Sequence, residues 1–82
     1  MDNETFMKEV YEPFNETYRL IKMLKDAGPD DKESKKTWED FRDGADEFSR
    51  KHDTEIGHTL TRMLLDIADH MARINGRKDD SG

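Results

Sequence analysis

The sequence predicts an all-α fold, a small bundle of three main helices, and two observations carry that reading. Apolar residues recur at steps of three and four in three separate segments, which is the period of a helix face. Branched aliphatics are few, Val10 and four Ile, and no segment alternates with period two as a half-buried strand does. A chain of 82 residues holds one domain, placed at residues 1–76, with 77–82 expected to be a disordered tail.

The first helix is expected to bury Phe14, Tyr18, Ile21 and Leu24, with Thr17 and Leu20 on its flank. Met23 and Ala27 widen this apolar sector past half the circumference, so the helix should touch two neighbours. Pro13 lacks an N–H and crowds the preceding turn, which predicts a kink or break in this helix. Phe6, Met7, Val10 and Tyr11 continue the helical spacing, so two helical pieces should meet at Glu12. Ala27-Gly28-Pro29 stops the helix, with Gly28 suited to a left-handed cap.

The second helix should start at Asp30, which forms a capping box with Glu33, or at Ser34. Its stripe of Trp38, Phe41, Ala45, Phe48 and His52 is narrow, at heptad spacing. Gly44 in its interior costs helix stability and suits a close helix crossing there. The third helix is marked by Ile56, Leu60, Met63, Leu64, Ile67, Met71 and Ile74, widened by Ala68, capped by Asp53 or Thr54 and ended by Asn75-Gly76. The phase slips between the two stripes, which favours a turn at residues 52–54 over one long helix. Five acid-before-base pairs four apart support the helices: Glu4–Lys8, Asp31–Lys35, Asp46–Arg50, Glu47–Lys51 and Asp69–Arg73.

Leu, Ile, Val and Phe make up 14 of the 82 residues, so a lone monomer has little core to offset the cost of ordering its chain. The absence of cysteine excludes disulfides, thiolate metal ligands and a cysteine nucleophile. No apolar run has the length of a signal peptide or a membrane span, so the expectation is a soluble cytoplasmic protein with no membrane partner. The formal charge of -6 repels nucleic-acid phosphates and anionic lipid, which leaves basic or neutral proteins and further copies of the chain as partners.

Candidate chemistry is sparse. Glu55 and His58 have the Glu-x-x-His spacing of di-metal bundles, which need two such pairs, and the nearest second pair, Asp66 with His70, suits an exposed ion pair. Glu9 and Glu12 supply one Glu-x-x-Glu of the kind used for magnesium-dependent phosphate chemistry in all-α nucleotide pyrophosphohydrolases. No second such motif exists, and Asp40, Asp43 and Asp46 are the closest substitutes, so no family resemblance is drawn. The expectation is a non-catalytic interaction or assembly module with no catalytic residue, metal or cofactor.

Its candidate interaction residues fall in two groups. Phe6, Met7, Val10, Tyr11 and Met23 are apolar side chains that the narrow second-helix seam cannot cover, which predicts a two-fold homodimer joined by first-helix faces. Glu39, Asp40, Asp43, Asp46 and Glu47 concentrate negative charge on the second helix, where an acidic inhibitor would imitate nucleic acid and fill a basic protein groove.

Overall fold

A computed structural model describes residues 1–28 and 32–77. They form three helices and, among the described residues, no strand. The first helix is α1 (Asn3–Phe6), a π turn (Met7–Tyr11) and α2 (Glu12–Lys22) run together. A 3-10 turn (Lys32–Ser34) leads into α3 (Lys35–Lys51), and α4 (Glu55–Arg77) follows. The expectations for Pro29, the Asp30–Glu33 capping box, the Asp31–Lys35 pair and, of the tail expected at 77–82, residues 78–82 lie outside the described residues.

Asp2 starts the first helix, its Oδ1 accepting the Thr5 N–H at 2.7 Å. Of the kink or break expected near Pro13, the break does not occur: Glu12 keeps helical backbone angles and donates to Met7 O, five residues back, at the end of a π turn. Pro13 cannot donate, and its ring would press on the carbonyl four residues earlier in a regular α-helix. The wider π turn accommodates that ring, so the helix changes its hydrogen-bonding period before the proline instead of ending.

At its other end the first helix tightens. Met23, Leu24, Lys25 and Ala27 each donate to the carbonyl three residues back, and Gly28 has no positive φ, contrary to the left-handed cap expected there. Side chains from the other helices take up the carbonyls instead. Asn75 Nδ2 donates to Leu24 O at 3.0 Å and Ala27 O at 2.8 Å, and Trp38 Nε1 donates to Gly28 O at 3.1 Å. Asn75 therefore works within α4, which runs past its expected end at Asn75-Gly76 by one residue, to Arg77, placed in the tail from sequence.

Three helices meet pairwise, α2 with α3 and α4, and α3 with α4. The core is Leu24, Ala27, Phe41, Ala45, Leu64 and Ala68, flanked by Leu20, Ile21, Trp38 and Met71. The α3 seam is as predicted, with Phe41, Ala45 and Phe48 buried. On α4, Leu60, Leu64 and Ala68 are buried, whereas Ile74 is exposed, contrary to its place in the predicted stripe. Gly44 admits the close crossing: a Cβ there would lie 2.6 Å from Leu20 Cδ2.

The first helix is rotated from its expected phase. Pro13, Thr17 and Leu24 are buried, while Phe14 and Tyr18 are exposed. Only one sector of a helix can face a seam as narrow as that of α3. Thr17 is small enough for close approach and gives its hydroxyl proton to Phe14 O, so its burial leaves no polar group unpaired. The bulkier rings of Phe14 and Tyr18 are left outside.

Between α3 and α4 the chain turns. His52 leaves the helix at φ -111° and ψ 67°, and Thr54 Oγ1 accepts the Gly57 N–H at 2.9 Å, which settles Thr54 as the cap of α4.

Candidate interaction surface

Phe14 and Tyr18 lie four apart on α2, and Tyr11 precedes Phe14 by three, so at about 100° per residue all three fall within a sector of about 60°. Met7 stands four before Tyr11 at the opposite end of the π turn, and Phe6 stands beside it. These five large side chains are between 40% and 60% exposed. They line one outward face over most of the first helix. Isolated exposed apolar residues are ordinary, whereas a row of five on one helix is unusual for a small domain.

The other apolar candidates lie elsewhere. The π turn contacts α4, and Val10 is half-buried. Met23 is exposed but sits on the rim of an open hollow of about 380 Å³, with Lys22, Lys25 and Thr37, between the end of α2 and the start of α3. The row and Met23 are therefore separate. Phe14 and Tyr18, assigned to the core from sequence, join the surface instead.

All five acids of α3 are exposed. Two have bases on the same helix: Asp40 pairs with Lys36 at 3.6 Å and Asp46 with Arg50 at 2.8 Å. Such a pattern is the usual solvated outer face of a bundle helix.

A charged cluster that connects helices is one the sequence spacing missed. Lys51 Nζ reaches Glu16 on α2 at 2.7 Å, in place of the expected bond to Glu47, and His52 Nε2 meets the other Glu16 oxygen at 3.0 Å. The local pairs Glu4–Lys8 and Asp69–Arg73 form as expected, at 3.3 and 2.8 Å. Burial alone pushes the half-buried Glu16 carboxyl up, but hydrogen bonds from Lys51 and His52, with their charges, hold it below the ordinary glutamate range. The same bond and the Glu16 charge hold the Lys51 ammonium above the ordinary lysine range.

A carboxyl whose pKa is lower in the folded chain stabilises the fold above its unfolded pKa, and this contribution is lost as pH falls through the folded value. Acidification below the ordinary glutamate range should therefore lower the melting temperature, and Glu16→Gln should flatten that fall. Asp2, lowered by the Thr5 backbone N–H, adds to the same acid limb and should persist in the variant. On the alkaline side the Lys51 contribution is lost as pH rises past the ordinary lysine range. Circular dichroism melts across pH check this, and identical acid limbs in the two proteins would show that Glu16 is not linked to folding.

The candidate metal pairs are not brought together among the described residues. Among the described residues no group of three or more His, Asp or Glu side chains is placed to hold a metal ion. His58 bonds Asp53 at 2.8 Å and not Glu55, and no hydrogen bond or ion pair joins Asp66 to His70. No described helix is long and apolar enough to cross a membrane. In comparisons with known proteins, no family model, curated protein or solved structure matches the chain.

Proposed function

We propose that the protein is a non-catalytic assembly module that binds a second copy of itself through the aromatic face of the first helix. One observation carries this reading: Phe6, Met7, Tyr11, Phe14 and Tyr18 form a continuous exposed row in a chain with few large apolar residues to spare. At about 200 Å² of surface for a large side chain, five that are half exposed present about 500 Å². Two such faces would bury about 1,000 Å², the lower end of specific interfaces. A cysteine-free chain suits a reducing compartment, and this supports placing the module in the cytoplasm.

Sedimentation equilibrium from low to high micromolar concentration tests the reading. The native chain should pass from monomer to dimer, whereas Phe14→Glu/Tyr18→Glu should stay monomeric with its helicity intact, because neither ring belongs to the core. A native chain that is monomeric throughout, or a double variant that dimerises like it, would count against this face.

A further inference from the structure

We infer that the two copies pair antiparallel along the first helix, in a two-fold register centred near Glu12. This rests on the self-association reading and adds the geometry that the charges impose. Along the first helix the charge is divided. Residues 1–16 carry five acids (Asp2, Glu4, Glu9, Glu12, Glu16) against Lys8, and residues 17–28 carry Arg19, Lys22 and Lys25 against Asp26. The aromatic row spans both halves.

A parallel pair would set acidic half beside acidic half over the full length of the contact. In a chain whose net charge is already -6, that repulsion opposes association. Antiparallel pairing in this register brings the Asp2–Glu4 end of each copy to Arg19 and Lys22 of the other and sets Lys8 level with Glu16, so that of the acids only Glu9 and Glu12 stay close to the axis. It also opposes the helix dipoles, bringing each negative C-terminal end towards a positive N-terminal end.

The row fixes the register. It extends from Phe6 to Tyr18, so its midpoint falls at Glu12. A two-fold axis there places Phe6 of one copy beside Tyr18 of the other, and Tyr11 and Phe14 together at the centre. Lys22 then comes to the Asp2 end of the other copy, with Arg19 near its Glu4. Each aromatic meets another aromatic, and Arg19 and Lys22 meet the acidic first turn, while Lys25 extends past it. The interface is isologous, as closed two-fold dimers require.

The cysteine-free chain makes the test direct, since any thiol introduced is the only one present. Tyr11→Cys lies one residue from the proposed axis, so its two copies would sit about 3 Å apart along the helix, at 1.5 Å rise per residue. Lys22→Cys lies ten residues from the axis, which separates its copies by about 30 Å. Each variant is treated with a mild chemical oxidant at high micromolar concentration, and covalent dimer is read on a denaturing gel. Tyr11→Cys should cross-link at least tenfold faster than Lys22→Cys. Arg19→Glu/Lys22→Glu should weaken the dimer about tenfold in sedimentation without loss of helicity.

Faster cross-linking at Lys22→Cys, or equal rates at the two positions, would overturn the antiparallel register and leave the assembly module standing. Undiminished affinity in the charge-reversed variant would overturn the charge argument. A native chain that never dimerises removes the module and the register together.

Discussion

Phe41→Ala is expected to lower the free energy of unfolding by about 3–5 kcal/mol, the range for truncating a buried aromatic. Phe41 is 2% exposed and sits in the centre of the core with Leu24 and Leu64. Its ring also meets the Trp38 ring edge to face, with centroids 6.1 Å apart at 75°, an arrangement that stabilises beyond simple area burial. Trp38 in turn holds the Gly28 carbonyl, so loss of Phe41 loosens the end of the first helix as well as the seam. Phe48 is as well buried, but it lies towards the end of α3 against the His52 ring at 4.7 Å, outside the main cluster. Phe48→Ala should fall at the lower end of the range. Small domains hold roughly 0.05–0.15 kcal/mol of stability per residue, so the Phe41 loss alone is a large fraction of the total. Urea titration followed by circular dichroism checks both variants, and native midpoints would show that the α3 seam is not core.

The helices were legible because their signals are local. Trp38, Phe41, Ala45 and Phe48 form a single narrow stripe with one possible orientation, and the structure turns it inward. The turn at residues 52–54 was legible from the slip in phase, and the cap of α4 was narrowed to Asp53 or Thr54 by their place before a helical run. The first helix was not, because its apolar sector exceeds half the circumference and periodicity alone leaves the inward direction open. That choice depends on what the facing helices present: Gly44 and the small side chain of Thr17 permit close approach along a line that excludes Phe14 and Tyr18. The width of the sector against the narrowness of the seam was still the signal that some of this helix would stay uncovered. The Glu16 bonds to Lys51 and His52 and the Asn75 caps span 35 to 51 residues, and spacing rules reach only one turn of helix.

Gly57→Ala is expected to cost about 3 kcal/mol, at the upper end of what an added methyl costs in a packed site. Gly57 is buried in the first turn of α4, where the chain has just reversed at His52. A Cβ placed on it would lie 1.9 Å from the His52 carbonyl oxygen and 2.8 Å from the carbonyl carbon. Those are backbone atoms, and no rotamer change can move them. The same turn is held by Thr54, whose hydroxyl accepts the Gly57 N–H at 2.9 Å, and by the Thr54 N–H, which donates to His52 O at 2.9 Å. Relief of the overlap therefore requires the α3–α4 junction to open, which also draws His52 away from Glu16. Gly44→Ala is the internal control, because its Cβ would meet only Leu20 Cδ2, the far end of a flexible side chain. There the helix propensity of Ala over Gly, about 1 kcal/mol, offsets the adjustment of Leu20, and the net change should be small. For a domain of this size a loss of 3 kcal/mol corresponds to a fall in Tm of about 12–24 °C. Thermal melts of the two variants side by side should separate them by at least that margin. Equal melting temperatures would show that the junction yields freely and that Gly57 is not required for the turn.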